Sequence, residues 1–416
     1  MGLQLNTQQG AIAGGFQYTG AELEDKSLTH QSCCNQYQIS VARSNPELES
    51  LRAEWENRNR NPNSQIDFFR LINECRASVS RPHVIAVIQN RQIEALVIGR
   101  IVEQEFQASL GYRTFSFGKV RQLDIVHGGI LGIDSAPVAE VVYKELLRAL
   151  SDAEADVVHL SHADTRSALY QVARNKPSIL RRDWIVQKQC HWKAELPGTL
   201  DEFLKRLNKK HRAWLRRMEK LFANDFTGKI RFQSFAEFSS LEELADNLET
   251  VASKSYQRAL GAGFVKNGEQ LRRLQLARDK NWLRGVVLFA NDTPCAYWMG
   301  TLHKGVFFSE ATSFDPQFRK YEVGTQVFVQ LVASLCKEGA HEIDFGLGDA
   351  LYKQRFGQVN WEDGTVRIFA RSMRAIRLNL TKSLLERAAL GIRFVFRKAG
   401  LEQRLKTIWR RRLTDD

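Results

Sequence analysis

Between His341 and Gly357 the chain crowds ionisable groups into one short stretch, His-Glu-Ile-Asp-Phe-Gly-Leu-Gly-Asp-Ala-Leu-Tyr-Lys-Gln-Arg-Phe-Gly. Carboxylates (Asp344, Asp349), a phenol (Tyr352) and an ammonium (Lys353) are groups that give and take protons or hold charge at a reacting centre. The stretch reads as a short strand, a glycine-broken turn and a short helix. Gly346 and Gly348 let the backbone turn sharply where the strand stops, and the ends of strands are where open α/β sheets place ligands.

The rest of the chain must position that strand end. Its 416 residues, 43% hydrophobic and 26% charged, have globular composition and are too many for one comfortable core, so two domains plus tails are expected. The longest apolar runs, such as Val286-Val287-Leu288-Phe289-Ala290, fall far short of the roughly 18 residues of a membrane helix. The Gln-, Gly- and Thr-rich start lacks the basic and apolar segments of a secretion signal, which points to a cytoplasmic protein. Six scattered cysteines fit reduced thiols, and His159 and His162 have no accompanying ligand cluster, so no metal is expected.

Residues 1–36 lack sustained apolar periodicity and read as a flexible leader. Val84 to Ile88 and Ala95 to Ile98, around Asn90-Arg91, then predict a β-hairpin. A second hairpin follows at a constant offset of 201, where Asn291, Ala296 and Gly300 match Asn90, Ala95 and Gly99. A helix and the strand after it recur at an offset of 185, with Val142, Leu146 and Leu150 matching Val327, Leu331 and Leu335 and His159 matching Asp344. The change of offset puts 16 extra residues in the first copy between Arg100 and Asp134. The copies meet near Pro197-Gly198. Only the second retains the polar stretch; the first, with His159 in place of Asp344, reads as catalytically inactive. It would form one wall of the acceptor cleft, with Asp124, His127 and Asp134 near strand ends as candidate contacts.

The motif Asp344-Phe345-Gly346-x-Gly348-Asp349 followed by Tyr352-Lys353-x-x-Phe356-Gly357 resembles the CelD-like branch of the GNAT-superfamily acyltransferases, associated with cellulose and exopolysaccharide production. The resemblance extends over residues 40–370. It implies an α/β (α+β) fold of two tandem GNAT-like domains, 37–196 and 197–370, each a mixed, largely antiparallel sheet flanked by helices. It also implies acetyl-CoA or another acyl-CoA as co-substrate and a sugar, polysaccharide precursor or amine as acceptor. Many members bind the cofactor pyrophosphate with a glycine-rich loop at a helix N-terminus. Here that loop is Tyr321-Glu322-Val323-Gly324-Thr325-Gln326, which departs from the pattern; Arg319, Lys320, Gly324 and Thr325 are its candidate donors.

FemAB-like aminoacyltransferases, also tandem GNAT folds, carry a similar Lys followed by Phe-Gly, and that likeness implies aminoacyl-tRNA as the alternative donor and an oxyanion-stabilising role for Lys353. Transfer from a thioester needs a base, for which Glu310 and Asp344 are candidates, with Asp349 beside them. It also needs a proton donor to sulfur, for which Tyr352 is the candidate. The competing reading for each is structural: backbone hydrogen bonds for the carboxylates, packing for Tyr352, a salt bridge with Asp349 for Lys353. Gly346, Gly348 and Arg355 would line the substrate side.

Two basic regions remain. Leu200 to Phe222 reads as one basic amphipathic helix, on which Arg212 and Arg216 could meet a phosphate-bearing substrate. From Arg371 to Arg412 there are 13 Lys and Arg against Glu386 and Glu402, a local charge of +11. Apolar residues at helical spacing there, interrupted by Gly391 and Gly400, read as a basic amphipathic helix pair that could sit on anionic lipid at the inner membrane face. Nucleic acid is a weaker candidate partner, because no binding motif accompanies the charge. A non-catalytic accessory role beside a membrane polysaccharide synthase is the alternative from another class.

Overall fold

The computed structural model describes residues 37–110, 113–255, 258 and 263–398. The expected leader, Cys33, Cys34 and Gly400 lie outside the described residues. Strand β1 (Gln38–Ala42) leads into helices α1 (Asn45–Ser50), α2 (Arg52–Arg58) and α3 (Ile66–Cys75). A meander of β2 (Val79–Gln89), β3 (Gln92–Leu110) and β4 (Arg113–Leu131) follows. Helix α4 (Ala136–Ser151) crosses over, and β5 (Val157–Asp164) returns parallel to β4. Helix α5 (Ala168–Asn175) and β6 (Lys188–Glu195) complete the first half.

The second half opens with α6 (Leu200–Lys205) and α7 (Lys209–Asp225). It continues through β7 (Ile230–Ser234), α8 (Leu241–Ser253) and α9 (Gly268–Asp279) to the meander β8 (Leu283–Ala290), β9 (Thr293–His303) and β10 (Val306–Phe314). Helix α10 (Val323–Lys337) crosses to β11 (Glu342–Leu347), which is parallel to β10. Helix α11 (Leu351–Phe356), β12 (Gln358–Phe369) and α12 (Met373–Lys398) end the described chain.

The two hairpins are the same structure twice. Asn90 and Arg91 have φ of 49° and 64°, Asn291 and Asp292 50° and 61°, the paired positive values of a tight two-residue turn whose twist matches its strands. Both also carry a register shift at the same place, between Val87 and Ile88 and between Leu288 and Phe289. The extra length of the first copy lies in the meander: β3 and β4 span 19 residues each, β9 and β10 11 and 9.

All twelve strands form one sheet, in the order β1-β2-β3-β4-β5-β12-β6-β11-β10-β9-β8-β7. Strand β12, from the far end of the chain, is the neighbour of β5; β6, from the end of the first half, is the neighbour of β11. The halves have exchanged their sixth strands, and the exchanged pair joins them antiparallel at the centre. The sheet is covered on both faces. Helix α4 packs on one face of β2–β5 and α1–α3 on the other. Helices α6, α7 and α10 cover one face of β8–β11, with α8 and α9 opposite. At the centre of the sheet His191 of β6, Asp344 of β11 and Asp363 of β12 are buried polar side chains.

Three details differ from expectation. The basic stretch over 200–222 is two helices, because Asn208 caps α7 by accepting from the His211 N–H, 2.8 Å, and ends the first helix. Over its described part, Met373–Lys398, the tail is one helix that runs through Gly391 without a break there, since an isolated glycine weakens a packed helix without ending it. Asp124 and His127 lie within β4, not at its end; Asp134 is in the turn that follows.

Candidate active site

Asp344 points away from the apolar face formed by its strand neighbours Ile343 and Phe345, as strand alternation requires. There it meets His191 of β6. The His191 Nε2 lies 2.8 and 3.0 Å from the two Asp344 oxygens, and Nδ1 lies 2.7 Å from Asp363 Oδ2 of β12. All three residues are buried, the imidazole at 3% exposure. Desolvation of the ring acts to lower its pKa, but the hydrogen bonds to Asp344 and Asp363, with their charges, outweigh that and raise it to about 9. A cationic ring between two carboxylates therefore clamps the seam between the exchanged strands. Trp361 stacks on it at 4.1 Å and in turn carries the Lys193 ammonium 4.9 Å from its ring centre. The His127 ring centre lies 6.2 Å from that of the imidazole, the two rings roughly parallel. His191 was not singled out in the sequence, although Trp192 and Ala194 alternate with His191 and Lys193 at strand spacing.

The clamp also shapes the turn after β11. Asp344 Oδ1 accepts from the Gly346 N–H at 2.8 Å, and Gly346 and Gly348 take φ of 67° and 81°, which only glycine adopts freely. The Gly348 N–H donates to the Cys190 carbonyl, 3.1 Å, and Asp349 accepts from Trp192 Nε1, 3.1 Å. Beneath this turn Lys353, 6% exposed, donates to the Leu347 carbonyl at 2.5 Å. Burial lowers its pKa to about 8 against the opposing pull of Asp344 and Asp349. The glycine of the Phe356-Gly357 pair is fixed by space: a Cβ there would lie 2.9 Å from the Lys193 carbonyl oxygen and 3.1 Å from that of Lys353. Tyr352 lies on the opposite face of the sheet from His191, its ring 5.0 Å from Trp298 and 6.0 Å from Phe345.

Strands β10 and β11 pair only over Val306–Phe308 and Glu342–Asp344. Beyond that β10 follows β9 and β11 follows β6, so a gap opens in mid-sheet, flanked by backbone edges outside either ladder. Unpaired edges of this kind are ready to bond an extended polar ligand. The first turn of α10 begins past the end of β10, and its leading N–H groups lack partners within the helix. Its N-cap, Glu322, has φ of 54° and its charge is answered by Arg355, whose Nη1 is 3.6 Å away. A Cβ on Gly324 would meet nothing nearer than Phe314 at 3.6 Å, so tight packing does not account for that glycine. Arg319 is exposed at the same loop; Thr325 is nearly buried, its hydroxyl 3.5 Å from Glu322. Lys320 is held by Asp225 of α7 at 3.2 Å.

Glu310 occupies the irregularity in β10, between Ser309 and Ala311 in the pairing with β9. It accepts from the Thr301 hydroxyl and stands in a recess with Arg273, Met299 and Trp282. The Glu310 side chain is exposed to solvent along part of its length, while protein packed about its carboxyl raises its pKa above the ordinary carboxylate value, with Thr301 and Arg273 opposing. Its hydrogen-bond partner is thus separate from those of Asp344. Arg212 is spent on the backbone, donating to the Lys205 and Leu207 carbonyls at 3.0 and 2.5 Å, whereas Arg216 is exposed.

A cavity of about 610 Å³ lies beside β5 and β12. His159, Thr365, Arg367 and Lys382 line it, and α12 closes one side. His159 Nδ1 is 2.7 Å from Asp124 Oδ1, so the position that matches Asp344 carries a histidine oriented by a carboxylate. Among the described residues no group of three or more His, Cys, Asp or Glu side chains is arranged to hold a metal.

Residues 209–354, from α7 through most of α11, match the family model for an acetyltransferase (GNAT) domain. No curated protein matches the chain. Among solved structures, FemX aligns with a TM-score of 0.53 and 8% identity, over 80% of this chain and 97% of its own. A tandem GNAT protein from the clavulanic acid biosynthesis pathway aligns with a TM-score of 0.47 and 7% identity, over 80% and 99%. The C-terminal domain of a putative lysylphosphatidylglycerol synthetase from Agrobacterium fabrum aligns at 0.46 and 14%, over 82% and 97%. At such identities the likeness to FemX is one of fold. The chain has the mixed α/β architecture of the GNAT fold. Its second half carries a GNAT acetyltransferase domain, and the chain is an acyltransferase.

Proposed function

We propose that the chain transfers an acyl group from acyl-CoA to an amine or hydroxyl, with the donor thioester lying in the gap between β10 and β11. The observation that carries this reading is the coincidence of that gap with the start of α10, where free N–H groups and the Glu322–Arg355 pair stand at one end of the opening. Acyl-CoA would supply the activated carbonyl. Val323 and Gly324 N–H groups, with Arg319 and Thr325, would hold its phosphates.

On this reading Glu310 takes the proton from the acceptor as its nitrogen or oxygen bonds to the carbonyl carbon. Its raised pKa makes it a better base than an ordinary carboxylate. The carbon–sulfur bond breaks, and Tyr352 gives its proton to the departing sulfur. Asp344 is a positioning residue, since both its oxygens are engaged by His191 and it also holds the turn at Gly346. Lys353 fixes that turn and places positive charge at the strand end, favouring the negative charge that develops on the carbonyl oxygen.

The acceptor is proposed to be a sugar, polysaccharide precursor or amine of the cell envelope, on the strength of the CelD-like motif. Acyl-CoA being an intracellular metabolite, the reaction would take place in the cytoplasm. Any membrane attachment would be peripheral, since no helix among the described residues is long and apolar enough to cross a bilayer. The deciding experiment is thermal melting with acetyl-CoA or CoA, followed by thiol release with candidate acceptors. A ligand that binds only the folded state raises the melting temperature; no shift with either ligand would refute the donor assignment.

One observation favours a second donor. Lys209, Lys210, Arg216, Arg217 and Lys220 are exposed on α7, a face suited to a polyanion. Aminoacyl-tRNA would then replace acyl-CoA, and tRNA co-purifying with the chain in place of CoA binding would establish it.

A further inference from the structure

Helix α12 shows solvent a surface that a soluble helix rarely carries. Twelve large apolar side chains are exposed among the described residues; five lie on α12 and two more, Ile179 and Leu180, on the turn beside it, so they are concentrated and not scattered. Met373 and Leu384, which lie on one side of the helix, are exposed at 68% and 57%, and Leu390, at 49%, stands at the mouth of the cavity that α12 closes. That turn is tied to the helix by Asn379 Nδ2, which donates to the Leu180 and Arg182 carbonyls at 2.9 and 3.0 Å. The buried side of α12 is anchored separately: Ala375 and Leu378 join the first-half core, and Lys382 bonds Asp183 at 2.7 Å. The apolar outer side is therefore not needed to hold the helix in place.

The charge on the same surface has one sign. Among the side chains described on the helix, Arg374, Arg377, Lys382 and Arg387 are basic, and the single acid, Glu386, is bonded to Lys382 at 2.9 Å. Arg374, Arg377 and Arg387 are exposed among the leucines. Cationic side chains interleaved with aliphatic ones match the boundary of an anionic bilayer, where the charges meet headgroups and the leucines enter the acyl region. A nucleic acid would answer the charges but offer nothing to exposed leucines. A second copy of the chain would oppose arginine to arginine.

We propose that the outer face of α12, with Ile179 and Leu180, docks on an anionic phospholipid surface. The chain then lies on the membrane with α12 in the plane of the headgroups. The proposal is independent of the donor in the acyl-transfer reaction.

The test is co-sedimentation of the full chain with phosphatidylcholine vesicles, with and without phosphatidylglycerol, at low and high salt. Binding is expected only with phosphatidylglycerol, weakened by salt. Leu384→Asp and, separately, Arg377→Glu with Arg387→Glu are each expected to weaken it at least about tenfold, because both the apolar and the charged contribution are needed for stable attachment. Circular dichroism spectra and melting temperatures, unchanged in the variants, would show that the fold survives. Equal binding of wild type and Leu384→Asp would overturn the proposal, as would no binding to anionic vesicles. Binding of a duplex oligonucleotide that Leu384→Asp leaves intact, without vesicle binding, would assign the face to nucleic acid instead.

Discussion

The Nε2 of His191 lies 2.8 Å from Asp344 Oδ1, and this contact joins two strands that come from different halves of the sequence. The same ring reaches Asp363 on the third strand of the seam at 2.7 Å. One side chain thus couples the strand exchange to the turn that carries the proposed site.

The ring should act as a pH-dependent clamp. Its folded pKa of about 9 exceeds the ordinary 6.5, so its contribution to stability is complete below pH 6.5 and is lost as pH rises through 9. His191→Gln should cost about 3 kcal/mol at pH 6.5, the usual penalty for leaving buried charges unpaired, and the difference from wild type should narrow by pH 9.5. Urea denaturation of both proteins at the two pH values checks this.

Asp344→Asn tests the site from the other side. The sequence alone predicts loss of transfer with the fold intact, but Asp344 is buried against His191, so stability should fall with activity, again by about 3 kcal/mol. Wild-type turnover and an unchanged denaturation midpoint would remove Asp344 from both roles.

Lys353 is charged below pH 8 and neutral above it. If its charge supports transfer, kcat should decline as pH rises through about 8, and Lys353→Ala should lose transfer at every pH while keeping its far-ultraviolet circular dichroism. A flat wild-type profile from pH 7 to 9 would show the ammonium to be only a structural donor to Leu347.

Glu310 must be ionised to act as base, and its raised pKa should place the acid limb of the rate profile above the ordinary carboxylate range. Glu310→Gln should lower kcat by about 10²–10⁴-fold and abolish that limb, with little change in the KM for acyl-CoA. Steady-state kinetics across pH would separate this from a packing role, which would move KM as well.

Arg355 offsets the charge of Glu322 at the start of α10. Arg355→Ala should weaken acyl-CoA binding about tenfold, the scale of one charge-assisted contact, and Glu322→Gln should restore part of the loss. Titration calorimetry on the single and double variants measures the coupling.

Much of this protein is written locally. The two hairpins could be read from apolar runs around Asn90 and Asn291 because strand periodicity and turn chemistry act over a few residues, and constant offsets located the extra length that became the long β3–β4 meander. The motif from Asp344 to Gly357 was legible too, since its glycines answer needs of the backbone next to them. The exchange of β6 and β12 was not, nor was the partnership of His191 with residues 153 and 172 positions away. Strand order is decided by which edges meet when the halves pack, a long-range balance of burial and hydrogen bonding that no window of sequence contains. The sequence by itself determined the elements and the polar groups at the end of β11; only the tertiary structure decided that a buried imidazolium would clamp them.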